Sequence, residues 1–293
     1  MSLPPWASSL GAALGEPLVS LETVSGGDIN EAWRLTCASG RLLFLKRNAT
    51  APAGMFSAEA RSLRRLRDTG ALRVPEVVAL SDELGHLERG ARWLLLEWLE
   101  PGRRRADFDE LLGRGLAQLH GCLASTWGDT EPGNLATLEL DNRPCATWPD
   151  FYFERRLLPL GQRAKALGHL GPESFRRLEH LGGRLGALLE PAGPPSHLHG
   201  DLWGGNVLVS PEGHPVLIDP SCFGGCREVD LAMMRLFGGF SERVFSAYRE
   251  LAPLAPGAAE RVQLYQLLPL LVHLVLFGAG YRAPVEAILR RFG

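Results

Sequence analysis

Leu198-His-Gly-Asp-Leu-Trp-Gly-Gly-Asn206, followed by Val216-Leu-Ile-Asp-Pro220, is the stretch that decides the fold. It reads His-x-Asp at 199–201, an asparagine five residues after Asp201, and Asp219 thirteen residues after Asn206. Two short β-like runs, 206–209 and 215–218, flank Pro211-Glu-Gly213, a turn sequence that closes a hairpin. Phosphoryl transfer needs a carboxylate that orients an attacking hydroxyl and takes its proton. It also needs hard oxygen ligands for a Mg²⁺ ion that bridges the phosphates. Asp201 fits the first role. Asn206 and Asp219 fit the second, and the hairpin is expected to fold both back into one cleft. The bland alternative is that these residues cap turns in a glycine-rich loop. A lone His-Gly-Asp does not exceed that alternative, but the whole string with its spacing does.

The upstream half supplies matching parts. Lys46 ends an apolar run, 41–46, that reads as a buried strand. Glu59 follows thirteen residues later, in a helical stripe with apolar residues at 56, 60, 63 and 66 and Gly70 as its stop. In protein kinases a strand lysine grips the ATP phosphates while a helix glutamate holds that lysine in place. The alternative is a solvated surface pair, which is worth almost nothing. Composition separates the two, because of 31 basic residues only Lys46 and Lys165 are lysine. A chain that writes arginine wherever either cation serves keeps lysine where a compact ammonium is needed. Lys165 lies in the polar stretch GQRAKALGH and carries no such reading. Gly26-Gly27 precedes Lys46 where a phosphate-covering loop belongs, although Gly-Gly is also an ordinary turn. Glu97-Trp98-Leu99 either offers backbone groups to adenine or is simply the end of a strand.

Other polar residues read as structural. Asp230 is expected to hydrogen-bond the backbone of the 199–206 loop, and His199 to be a packed histidine. His273 reads as a satisfied core histidine on an apolar helix face. Cys222 and Cys226 have no matching second pair, so zinc is not expected.

Along the rest of the chain, residues 1–22 read as a short amphipathic helix and a lead-in. Further strands are expected at 75–80 and 92–99, and Pro101-Gly102 breaks the chain there. Helices are expected at 108–123, 148–160, 174–189, 229–237, 241–251 and 258–277. The resulting class is α+β, with two lobes: residues 1–100 form a nucleotide-binding lobe, an antiparallel sheet with one helix. Residues 101–293 form a larger, mainly helical lobe with the catalytic loop and acceptor site. A net charge of −2 gives no electrostatic case for nucleic acid or an anionic membrane as partner. The apolar stretch at 264–280 is interrupted by Gln266, Pro269 and His273 and reads as a buried helix. Five cysteines, an odd number, favour reduced thiols and a cytoplasmic location over a disulfide framework. A monomer is favoured.

The residues then show a likeness. Leu198-His-Gly-Asp-Leu-Trp-Gly-Gly-Asn206, Val216-Leu-Ile-Asp-Pro220 and Arg227-Glu-Val-Asp-Leu-Ala-Met233 resemble the fructosamine kinase family. So do Leu236-Phe-Gly-Gly-Phe240, Gly26-Gly-Asp-Ile-Asn30, Met55-Phe56 ahead of Glu59, and His273-Leu-Val-Leu-Phe-Gly-Ala-Gly-Tyr281. The resemblance implies a protein-kinase-like fold that uses ATP with Mg²⁺ to phosphorylate ketosamines at the sugar C3, after which the amine is released. It implies Asp201 as proton acceptor and Glu97, Trp98 and Leu99 as the adenine-contacting hinge. This chain departs from the family at Asp28, where cysteine is frequent, so no redox switch is expected there. It departs also at Gly224 and Cys226 and across 128–142, segments expected on the acceptor side. Two readings compete with the ketosamine kinase. One is an aminoglycoside, choline or homoserine-type kinase; an aminoglycoside site calls for an acidic surface that the second half lacks. The other is a non-catalytic nucleotide binder, opposed by the presence of Lys46, Asp201, Asn206 and Asp219 together.

Overall fold

The computed structural model describes residue 4 and residues 7–24, 29–84 and 92–293. Contacts divide the chain into two compact units. The first comprises residues 1–108, 133–139 and 206–221, and the second comprises 109–132, 140–205 and 222–293.

The first unit is built on a sheet of five antiparallel strands. These are β1 (Leu18–Thr23), β2 (Glu31–Cys37), β3 (Leu42–Asn48), β4 (Val77–Leu80) and β5 (Arg92–Glu97), in the order β1-β2-β3-β5-β4. Helix α1 (Ala7–Leu14) precedes the sheet. Leu10 packs with Leu35, Cys37, Leu43, Leu45, Trp93 and Leu95 into the core of this unit. Side chains alternate across a strand, so Leu43 and Leu45 face that core while Phe44 and Lys46 point to the opposite face. Lys46 is buried on that opposite face, where its ammonium needs a charged or hydrogen-bonding partner.

Helix α2 (Met55–Thr69) supplies that partner. Phe56, Ala60, Leu63 and Leu66 are buried, the stripe expected from the sequence. Gly70 ends the helix in the left-handed region at φ 64°, and its N–H returns to the Arg67 carbonyl. A short helix, α3 (Ser81–Leu84), follows β4.

The second unit is mainly helical. It holds α4 (Phe108–Gly121, whose first residue belongs to the first unit), α5 (Trp148–Tyr152), α6 (Leu158–Ala166), α7 (Pro172–Gly182) and α8 (Leu185–Leu188). After the loop come α9 (Glu228–Phe237), α10 (Glu242–Leu251), α11 (Ala258–Phe277) and α12 (Arg282–Phe292). The helix expected at 148–160 is longer and irregular. A π-helical segment, Phe153–Leu157, joins α5 to α6, and the helix runs to Ala166. The segment at 174–189 is split, with Gly183 and Arg184 forming a turn between α7 and α8. Helix α12 was not expected; its arginines mask a stripe of Val285, Ile288 and Leu289 that is buried. Helix α11 is buried along most of its length and carries Pro269 inside it. Among the described residues no helix is long and apolar enough to cross a membrane.

Two further strand pairs were not read from the sequence in full. β6 (Gly133–Leu135) pairs with β7 (Leu138–Leu140), within the segment that departs from the family. β8 (Ser196–His197) pairs with β11 (Gly224–Gly225). The expected hairpin is present as β9 (Val207–Val209) and β10 (Pro215–Leu217). It belongs to the first unit because the Leu217 N–H bonds the Arg73 carbonyl at 2.9 Å and the Gly102 N–H bonds the Val209 carbonyl at 3.0 Å.

Candidate active site

In the first unit, β3 and α2 bring Lys46 and Glu59 together. Lys46 Nζ lies 2.6 Å from Glu59 Oε1 and 2.5 Å from Asp219 Oδ1. The lysine side chain is 7% exposed and that of Glu59 13%, while Asp219 is 41% exposed. Burial opposes the charge on Lys46, but the Asp219 and Glu59 carboxylates outweigh it and raise its pKa. Burial pushes the Glu59 carboxyl up, the Lys46 ammonium pulls it back, and the charge of Asp219 adds to the rise. One ammonium between two carboxylates leaves a net charge of −1 at a half-open position.

The hairpin explains how Asp219 arrives there. Gly213 closes the turn at φ 86°, with its N–H on the Ser210 carbonyl at 2.8 Å. At the other end the Ile218 N–H bonds the Asn206 carbonyl at 3.1 Å, so the residue before Asp219 is tied directly to Asn206. Asp219 itself adopts φ 56°, a left-handed conformation that costs most non-glycine residues about 1–2 kcal/mol. Asp and Asn tolerate it best, and here it turns the carboxylate toward Lys46.

The strand end at 97–99 is occupied differently. Arg73 donates to Glu97 Oε1 at 2.5 Å, and the Glu76 N–H donates to Glu97 Oε2 at 3.2 Å. Trp98 Nε1 donates to Glu100 Oε1, and its ring lies 6.3 Å from that of Phe44 and under Arg34. Leu99 follows β5 outside any regular element. The Glu97 carboxylate is thus spent on Arg73 and the Glu76 N–H, so what remains for a ligand at 97–99 is backbone. Gly26 and Gly27 lie outside the described residues.

In the second unit, the His199–Asn206 string begins on a backbone held from behind. Asp230 accepts the His199 N–H at 2.7 Å and the Gly200 N–H at 2.9 Å. Gly200 has φ 82°, which glycine alone adopts freely. The Asp201 N–H meets His199 Nδ1 at 3.3 Å. Leu198 N–H bonds the Phe223 carbonyl, and β8 with β11 secures the same segment. Asp230 is fully buried; burial opposes its ionisation, but the His120 hydrogen bond and the nearby histidines outweigh it and lower its pKa. The expected role of Asp230 as a backbone anchor matches this geometry.

Trp203 stays 43% exposed and meets Phe237 edge-on at 6.5 Å. His273 continues the aromatic row, 4.8 Å from Phe237 and 4.9 Å from Tyr281. Its Nδ1 lies 2.8 Å from the Pro269 carbonyl, one helical turn back. His273 is therefore satisfied locally, as expected, but it sits in a half-open aromatic row and not in the deep core. A Cβ on Gly205 would come within 2.3 Å of the Trp203 ring, so the indole needs glycine there.

Sequence reasoning missed His120 and Arg156. Both are buried, and nothing in their spacing separates them from ordinary helix residues. Arg156, in the π-helical segment, donates to Asn142 Oδ1 at 2.5 Å and to the Asp141 carbonyl at 2.9 Å. It lies over the rings of Phe151 and Phe223, fixing the 141–142 segment from beneath.

Known proteins give the same direction. The family model described as "Fructosamine kinase" matches residues 6–292. A Thermus thermophilus protein described as a probable ketoamine kinase is 41% identical over 87% of each chain. The chloroplastic protein-ribulosamine 3-kinase of Oryza sativa subsp. indica is 32% identical over 93% of this chain and 78% of its own. A Thermobifida fusca structure bearing the provisional description fructosamine-3-kinase superposes with a TM-score of 0.88 at 37% identity, covering 99% and 98% of the two chains. The neighbours in this comparison are protein-kinase-like phosphotransferases, so the fold is the α+β protein-kinase-like one. Its match from end to end assigns the chain to the fructosamine kinase family.

Proposed function

We propose that the protein is an ATP-dependent ketosamine kinase, transferring the γ-phosphoryl group to the C3 hydroxyl of a fructosamine or ribulosamine. The observation that carries this reading is the ion cluster of buried Lys46 and Glu59 with the half-open Asp219, joined through the hairpin to Asn206. Residues 1–100 serve as the nucleotide-binding lobe and 101–293 carry the catalytic loop and acceptor site.

Lys46 holds phosphate oxygens as a point charge, and Glu59 keeps its ammonium in place. Gly26 and Gly27 offer backbone N–H groups to the phosphates, and the backbone of Glu97, Trp98 and Leu99 borders the adenine. Asn206 and Asp219 fit Mg²⁺: an amide oxygen and a carboxylate are hard donors, and the net charge of −1 favours a divalent cation. Mg²⁺ is usually held by one or two protein groups, with phosphates and water completing its shell. When bound, the ion neutralises charge on the transferred phosphoryl group. Asp201 orients the acceptor hydroxyl and takes its proton as the new O–P bond forms and the bond to the ADP oxygen breaks. Trp203 and the aromatic row offer the acceptor an apolar face. The enzyme is expected to work in a cytoplasm, where its five free thiols stay reduced.

The reading is tested by ATP consumption against a panel of fructosamines, ribulosamines, aminoglycosides and choline. Turnover confined to the ketosamines supports it. Turnover with choline or an aminoglycoside alone would leave a kinase with the wrong acceptor.

A further inference from the structure

The anchor behind the His199–Asn206 string does not end at Asp230. His120, near the end of α4, places Nε2 at 3.2 Å from Asp230 Oδ2. Its Nδ1 lies 2.9 Å from the hydroxyl of Tyr248 on α10. Arg227, at the head of α9, brings Nη1 to 3.4 Å from the same hydroxyl. Arg227 is itself fixed by the carbonyls of Ala252 and Pro253. The side chains of His120 and Asp230 are wholly buried.

Donor and acceptor counting gives this chain one direction. The Asp230 carboxylate only accepts, so His120 Nε2 carries a proton that points at it. In the neutral imidazole Nδ1 then accepts, and the Tyr248 O–H donates to it while the Tyr248 oxygen accepts from Arg227, the tautomer being assigned from the network. Asp230 receives three donors: one imidazole N–H and two backbone N–H groups of the string. With the imidazole removed, Oδ2 loses a partner in a dry interior, where an unsatisfied carboxylate is expensive. The carboxylate then turns or takes a proton. Either change loosens His199 and Gly200, and with them the Asp201 N–H that rests on His199 Nδ1.

We propose that His120 is a positioning residue of the reaction: it holds Asp230, and through Asp230 the backbone that presents Asp201, as the middle of a relay running from Arg227 through Tyr248. The proposal rests on the reading of Asp201 as proton acceptor. It leaves nucleotide binding aside, since Lys46, Glu59 and Asp219 belong to the other unit.

The test measures kcat and KM for ATP and for the acceptor in His120→Leu, His120→Gln and Tyr248→Phe, with Asp201→Asn alongside. Groups that orient a working side chain from behind are worth about 10–100-fold in activity. His120→Leu is expected to lower kcat by about that factor, with KM for ATP within about twofold of the parent. His120→Gln, whose carboxamide N–H can still donate to Asp230, is expected to recover most of the loss. Tyr248→Phe keeps the ring and removes only the O–H, so a fall of several-fold is expected there even if His120→Leu does not fold. Equal kcat values for the Leu and Gln variants, or a parent-like kcat in Tyr248→Phe, would overturn the relay. If Asp201→Asn keeps turnover, the base assignment fails and the relay fails with it. If Asp201→Asn loses turnover while the His120 variants keep theirs, the relay alone is wrong.

Discussion

Replacing Lys46 with methionine removes the cation from the ion cluster and leaves Glu59 buried beside a second carboxylate. At 2.6 Å and an effective dielectric near 20, the Lys46–Glu59 attraction is about 6 kcal/mol before desolvation is subtracted. Deleting one partner of a buried pair typically costs about 3–5 kcal/mol, because the other charge stays behind. The Asp219 arm adds no more than about 1 kcal/mol, since that carboxylate is 41% exposed and screened. A loss near 4 kcal/mol is expected, or about 8 °C in Tm at this chain length. The pH dependence has a definite sign. Burial has already raised the Glu59 carboxyl, and without Lys46 it rises further. A carboxyl raised in the folded state binds protons that the unfolded chain has released, so stability falls as pH rises from about 4.5 through the folded value. The variant should therefore lose stability more steeply than the parent as pH rises above about 4.5. The lysine acts the other way: its raised pKa gives stability that is complete below about 10.5 and lost as pH climbs through the folded value. The gap between parent and variant should then narrow in alkali. Thermal unfolding across this pH range is the assay, with Lys46→Met/Glu59→Gln as the companion. The double variant should regain part of the lost stability and none of the turnover. A Tm within about 2 °C of the parent for Lys46→Met would refute the reasoning, as would a double variant no more stable than the single one.

Asp201→Asn should fold normally, bind ATP, and lose about 10²–10⁴ in turnover, the usual worth of a positioned base; single-turnover kinetics with a nucleotide-binding control checks it. Asp219→Asn keeps a residue suited to φ 56° while removing the charge, so folding should survive and the Mg²⁺ dependence of activity should shift to much higher concentration. An unchanged Mg²⁺ titration removes Asp219 from the site. Trp203→Ala should raise KM for the acceptor several-fold and leave KM for ATP near the parent value, since the indole is exposed within the string and belongs to the second unit, whereas Lys46, Glu59 and Asp219 belong to the first.

The proposed phosphate-handling residues were legible because their signals are local. Residue types at fixed spacing (Asp201, Asn206, Asp219) mark the string, and a turn sequence at 211–213 marks the hairpin that ties the Asn206 and Asp219 segments together. Lys46 stood out because it ends an apolar run and because lysine is scarce in this chain. The supporting residues were not legible. His120 and Arg156 act through partners 110 and 14 residues away in sequence, and nothing in a helical stripe marks those pairings. The π-helical segment at Phe153–Leu157 was missed because one inserted residue shifts a stripe without breaking it. Helix α12 was missed because its arginines dilute a three-residue apolar stripe that matters only once α7 and α11 are beside it. The conformation of Asp219, on which the approach to Lys46 depends, is a backbone property that residue type permits but does not dictate.

The central claim is tested most directly by phosphorus NMR of the product formed from ATP and a small fructosamine, with free amine followed over time. The account predicts a phosphomonoester on C3 of the sugar, followed by slow release of the amine that continues after the enzyme is removed. A phosphate on any other hydroxyl with a stable adduct, or no phosphorylated ketosamine at all, would contradict it.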